Sequence, residues 1–196
     1  MIPAAPVADP PFIAERAWFD RSAEELAPDL LGALLVHDAT EGRIAGRIVE
    51  VEAYLGPEDL AAHSARGQTS RNASMFGLPG HLYVYLVYGM HHCANVVCGP
   101  GPKPEAVLLR GVELVEGAEL ARPRRGAVPL ARIAAGPGNL AAAFGIDRRL
   151  DGADLLSGPI RLVPASSPVS YARTPRIGVA YAGEWAARQL RFVANR

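Results

Sequence analysis

The feature that most limits how this chain can fold is the run from His81 to Cys98. It reads His-Leu-Tyr-Val-Tyr-Leu-Val-Tyr-Gly-Met-His-His-Cys-Ala-Asn-Val-Val-Cys. Aromatic and β-branched residues flank Tyr88-Gly89-Met90, a pattern that predicts two strands joined by a tight turn. A hairpin forces antiparallel neighbours. Alternation places Tyr83, Tyr85 and Val87 on one face and Val84, Leu86 and Tyr88 on the other. Hairpin tips are normally polar, so a tyrosine and a methionine at the tip indicate either a buried turn or a part that inserts into a partner.

A second β pattern lies upstream, in Arg47-Ile-Val-Glu-Val-Glu-Ala-Tyr54. Here alternation predicts Val49, Val51 and Ala53 facing inward, with Glu50, Glu52 and Tyr54 on the opposite face. Two carboxylates and a ring on one rigid strand make a candidate general base beside a candidate stacking surface. The competing reading is a half-exposed strand with a solvated polar face.

Around these runs the pattern is mixed. Ser22 and Glu25 form a capping box, and Leu26, Leu30, Leu31, Leu34 and Leu35 continue at helical spacing, with Pro28 threatening a break. A long loop over 56–80, with a short helix near 58–64, a buried strand over 105–112 and a helix over 113–122 come next. A basic loop over 122–132 leads to a helix opened by Gly136-Pro-Gly. Short strands are expected at 160–163, 176–179 and 190–193. With 196 residues, no repeats and no convincing linker, the chain reads as one mixed α/β (α+β) domain over 13–196, after a flexible Pro/Ala-rich lead-in over 1–12.

Composition removes several function classes. No apolar run reaches membrane-spanning length, and the N-terminus lacks the features of a signal peptide. Two cysteines, Cys93 and Cys98, are no disulfide framework, so an intracellular setting is expected. The clustered His81, His91, His92, Cys93 and Cys98 lack metal-ligand spacing, so no metal is expected. No serine-nucleophile elbow or phosphate-cradling glycine loop appears. The zero net charge hides a strong asymmetry: residues 1–60 carry 12 acids and 4 bases, and residues 61–196 carry 8 acids and 16 bases. No acid lies between 61 and 104, and 19 of the 20 bases are arginine, suited to phosphate contacts. A high-GC genome would also favour arginine. An apolar hairpin tip can part base steps, while Tyr54, His63 and Tyr85 could receive a base drawn from the stack.

Taken in order, the motifs resemble the alkyladenine (3-methyladenine) DNA glycosylase family. The match runs through RIVEVEAYLGPED at 47–59, AAHS at 61–64, TSRN at 69–72 and MFGLPGHLYVYLVYGM at 75–90. ANV at 94–96, VLLR at 107–110, GPGNL at 136–140, RIGV at 176–179 and AGEW at 182–185 complete it. The resemblance implies a curved, mainly antiparallel sheet with surrounding helices and a protruding hairpin that inserts into DNA. It further implies a monomeric enzyme without cofactor or metal, acting in the cytoplasm at the nucleoid on double-stranded DNA that contains a damaged purine. By the same resemblance Glu52 is the general base, Arg110 helps hold the attacking water, and the Ile177 carbonyl contacts it. Tyr54, His63 and Tyr85 line the flipped-base pocket, Asn95 crowds the 2-amino group of normal guanine, and Tyr88 with Met90 fills the gap in the duplex. Asn139 stands where relatives often carry lysine, and the loop between His63 and Asn72 is about one residue shorter.

Glu52 would be drawn in two directions. Arg110 favours its ionised form, whereas Glu50 and burial oppose it. A lyase would need an amine for a Schiff base, but the single lysine, Lys103, sits in a Pro/Gly turn. Water is therefore the expected nucleophile and an intact abasic strand the expected product. The alternatives are a DNA-binding module of the same fold without catalysis, and a transferase of similar fold, which no cofactor motif supports.

Overall fold

The structure, a computed structural model, describes residues 11–101 and 103–195. The expected lead-in thus lies almost entirely outside the described residues. At its end, the Phe12 ring sits 3.7 Å from the Arg161 guanidinium.

The chain forms α1 (Ala23–Leu30), β1 (Leu34–Ala39), β2 (Gly42–Tyr54), β3 (Leu82–Val87), β4 (His91–Cys98) and β5 (Glu105–Glu116). These are followed by α2 (Ala118–Arg125), α3 (Pro137–Phe144), β6 (Ile160–Val163), β7 (Tyr171–Thr174) and β8 (Arg191–Ala194). The architecture is mixed α/β, with one open antiparallel sheet in the order β3-β4-β5-β2-β1-β6. The long β2 pairs with β1 over 42–47, then with β8 over 50–52, after β1 has turned away. β7 pairs with β8 at the margin.

The sheet has two unlike faces. On one, Leu82, Val84, Ala94, Val96, Val107 and Leu109 pack with Leu26 and Leu30 of α1 and Leu140 and Phe144 of α3 into the main core. Helices cover this side because their apolar stripes need burial. The other face carries Tyr83, Val97 and Ala106 in a smaller cluster with Met75, and it holds the polar site.

Several sequence expectations need correction: the short helix expected near 58–64 is a 3-10 turn at His63–Arg66, and the loop expected from 122 is helical as far as Arg125. The helix from Ser22 keeps its capping box but ends at Leu30. Pro28 lacks an N–H, Gly32 turns the backbone at φ 82°, and Leu34 and Leu35 pair with β2 as part of β1. The helix expected over 113–122 begins only at Ala118. Residues 113–116 stay in the ladder with β2, and Gly117 breaks it at φ 80°. Residues 176–179 form no strand, since β7 ends at Thr174.

The β2 alternation also changes phase. Ile48 pairs with Val112, Glu50 with Gly111 and Val51 with Leu109. Val49 is therefore unpaired on β2 and Arg110 is unpaired on β5, two bulges side by side. The core receives Ile48, Val51 and Ala53, whereas Val49 is only half-buried.

Candidate active site

The bulges bring carboxylates and an arginine together on the polar face. Glu52 is 0% exposed, which rules out the solvated-face reading of this strand. Its Oε1 accepts the Ile177 N–H at 2.8 Å, and its Oε2 accepts the Tyr54 hydroxyl at 2.9 Å. Arg110 lies 3.4 Å from Oε2 through one terminal nitrogen, while its Nε donates to Glu50 at 2.8 Å. Arg191 donates to the same Glu50 oxygen at 2.7 Å.

Neighbouring carboxylates consequently ionise differently. Burial pushes the Glu52 carboxyl above the ordinary carboxylate range, and Arg110, the Ile177 N–H, the Tyr54 hydroxyl and Arg176 offset this only in part. Burial acts on Glu50 too, but the hydrogen bonds from Arg110 and Arg191 outweigh it and hold Glu50 below that range. Glu50, with its carboxyl held below the ordinary range, clamps two arginines. Glu52 is a desolvated carboxylate able to take a proton.

Next to this group opens a cavity of about 310 Å³, within the range of small-ligand sites. Tyr54, His63, Tyr85, Asn95, Tyr88, Arg110 and Ile177 all line it. Tyr83 and Tyr85 stack with centroids 5.3 Å apart, and the His63 ring meets Tyr85 edge-on at 4.5 Å. The His63 Nδ1 and the Tyr83 hydroxyl share a hydrogen bond of 2.8 Å. Burial, then the Arg71 charge, lowers the His63 pKa, which favours neutral imidazole. Burial pushes the Tyr83 phenol up to about 12 and those of Tyr54 and Tyr85 well upward, so all three remain donors at neutral pH. The Asn95 amide donates to the Tyr83 carbonyl at 3.0 Å across the β3–β4 pair, which fixes how it faces the cavity.

The hairpin tip contrasts with this enclosed floor. Tyr88 is 90% exposed and Met90 70%, and nothing approaches within 4 Å of where a Gly89 side chain would be. Tyr88 has φ 52°, the one positive φ at a non-glycine among the described residues. The Met90 N–H closes the turn on the Val87 carbonyl at 3.1 Å. Tyr88 reaches the cavity rim, whereas Met90 lies on the tip outside it.

Glu52 itself does not line the cavity; its partners Tyr54, Arg110 and Ile177 do, and they stand between it and the opening. The family model described as methylpurine-DNA glycosylase matches residues 17–196. The chain belongs to the methylpurine-DNA glycosylase family. A relative from Leifsonia xyli, named a 3-methyladenine DNA glycosylase, is 50% identical over 90% of this chain and 86% of its own. Similarly named proteins from Streptomyces avermitilis and Methanocella arvoryzae are 49% and 46% identical, over 84% and 92% of this chain and 80% and 91% of their own.

Elsewhere in this glycosylase, Lys103 pairs with Glu105 at 3.0 Å and does not line the cavity. Asn139 turns its amide to the Ala135 carbonyl at 2.6 Å. No three His, Cys, Asp or Glu side chains gather as metal ligands among the described residues, and no described helix is long and apolar enough to cross a membrane.

Sequence reasoning missed several participants. Tyr83 was within reach, since it shares the Tyr85 face by simple alternation. Tyr181, 67% exposed on the rim, and the buried Arg176 were not singled out, although Arg176 opens the segment expected as a strand over 176–179. The clamping role of Glu50 depends on the bulges, which no local sequence signal announces.

Proposed function

We propose that this glycosylase excises alkylated or deaminated purines of the 3-methyladenine class from duplex DNA by hydrolysis, leaving an abasic site and an uncut strand. The observation that carries the reading is the fully buried Glu52, held by two neutral donors and Arg110 beside an aromatic cavity. In this reading the damaged nucleotide swings out of the stack and its base enters between Tyr54, His63 and Tyr85. Tyr88, with Met90 beside it, takes the vacated place in the duplex. Asn95 crowds the 2-amino group of normal guanine.

The chemistry follows from the electrostatics. As the N-glycosidic bond lengthens, its electrons leave with the purine and positive charge grows on the sugar. The Glu52 carboxylate stabilises that charge and accepts a proton from water, whose oxygen bonds to C1′. Arg110 and the Ile177 carbonyl hold this water. A cationic base such as 3-methyladenine departs neutral, and stacking on tyrosine adds a cation–π attraction of roughly 0.5–2 kcal/mol. A raised Glu52 pKa suits a base that must accept a proton near neutral pH. With Lys103 tied to Glu105 and away from the cavity, water is the nucleophile. We place the monomeric enzyme in the cytoplasm, at the nucleoid.

The test is release of free 3-methyladenine, hypoxanthine or ethenoadenine from a defined duplex. Release without strand cleavage is expected. Duplex binding without release of any purine would leave a binding module of the same fold.

A further inference from the structure

The catalytic carboxylate has a second layer of support, built around a buried ion pair. Asp59 and Arg176 have side chains that are both 0% exposed. The two terminal nitrogens of Arg176 grip both Asp59 oxygens, one at 2.8 Å. The first nitrogen also donates to the Ala53 carbonyl at 2.9 Å, and the guanidinium lies 4.6 Å from the Tyr54 ring centroid. Asp59 in turn accepts the Leu55 and Ala61 N–H groups at 3.1 and 3.0 Å, pinning the turn that leaves Tyr54.

Both neutral donors to Glu52 depend on this pair. The Tyr54 ring rests against Arg176, and Ile177 is its next residue along the chain. The segment 175–178 has no backbone–backbone hydrogen bond of its own among the described residues. Ile177 is 52% exposed and Gly178 turns at φ 79° with nothing within 4 Å of its Cβ position. A loop so weakly held would drift without the Arg176 anchor. The Arg176 Nε is moreover buried without a partner, a cost that a purely stabilising arrangement would avoid.

We propose that Arg176, locked onto Asp59, is a positioning residue that presents both the Tyr54 hydroxyl and the Ile177 N–H to Glu52. The inference rests on Glu52 being the base. Other charged or titratable groups facing Glu52 are Arg110 from β5, Tyr85 from β3 and Cys93 from β4. Arg191 sits across from Glu52 on β8 but directs its guanidinium to Glu50 and Thr174. None of these takes over the Arg176 contacts. Ionised Glu52 is the active form, so activity rises as pH climbs through its pKa. Removing the Arg176 charge and loosening both donors raises that pKa further, and the acid limb of the rate profile moves to higher pH.

The experiment is single-turnover release of hypoxanthine from saturating duplex across pH, for the parent enzyme, Arg176→Gln, Arg176→Lys, Tyr54→Phe and the Arg176→Gln/Tyr54→Phe double variant. Rates are normalised to the fraction of molecules able to bind duplex. Arg176→Gln should lose roughly a hundredfold in rate, the scale of a displaced reacting group, with the acid limb shifted upward. Arg176→Lys, which keeps the charge but not the fork, should fall between it and the parent and serves alone if the glutamine variant does not fold. The double variant should lose less than the product of the single losses, because both act through one donor. An unmoved acid limb with a normal rate per binding-competent molecule, or independent losses in the double variant, would overturn the proposal. Full activity in Glu52→Gln would instead sink the base assignment, so the two failures are distinguishable.

Discussion

The pocket floor and the hairpin tip are built by opposite rules. At the floor, Glu52 is wholly buried and each oxygen has a donor. At the tip, Tyr88 stands almost fully in solvent on a strained turn with open space around it. In the proposed reaction the floor is pre-organised for a charge that develops on the sugar, and it tolerates no slack. The tip is left unsatisfied, as suits a part whose partner is another molecule. Substitutions should therefore separate chemistry from stability differently in the two places.

The largest effect is expected for Glu52→Gln. Base release should fall by about 10³-fold or more, the upper range for a general base, while binding to damaged duplex persists. Because burial already disfavours the Glu52 anion, stability declines as pH rises from the ordinary carboxyl pKa through the raised one. Above that window the neutral glutamine should melt at a higher temperature than the parent, and calorimetry at pH 7 checks it. A lower melting temperature would mean that the pairing outweighs the burial.

Tyr88→Gly comes next. If Tyr88 acts as the proposed wedge, the change should slow excision by roughly ten- to a hundredfold, since a wedge is worth a few kcal/mol of unstacking at most. The same change relieves a positive φ and should leave the fold unchanged or up to about 1 kcal/mol more stable. A clear loss of stability would show that the tip is packed after all. Tyr54→Phe removes one neutral donor from Glu52, so the acid limb should move to higher pH with a rate loss of up to about tenfold at pH 7. A pH profile identical to the parent's would break the link between that hydroxyl and the base. The smallest effect is expected for Arg71→Ala, an exposed cation that donates to the Leu86 carbonyl. If it meets a phosphate, the slope of log K against log salt should fall by roughly one.

How far these regions could be read from sequence follows the same division. The hairpin was legible because its signal is local: alternation on both sides of three turn residues. Glu52, Tyr54 and Arg110 were legible as residue types in the right order, but not their burial, since two adjacent bulges set it. Leu34 and Leu35 extend a helical spacing that tertiary pairing overrides, so β1 was invisible. The Asp59–Arg176 pair joins positions 117 residues apart, and no spacing in the sequence announces their contact.

The paired bulges carry one more implication. Val49 is skipped on β2 and Arg110 on β5, and because the skips are adjacent, the ladder falls back into step at Val51 and Leu109. Deleting either residue alone would throw two long strands out of phase. Deleting both would give an unbroken ladder, Ile48 to Val112, Glu50 to Gly111, Val51 to Leu109, with regular alternation throughout. The sheet would be more ideal than the natural one, yet Arg110 would no longer stand beside Glu52. On the proposed reading, the chemistry depends on a matched pair of insertions that the ladder itself could do without.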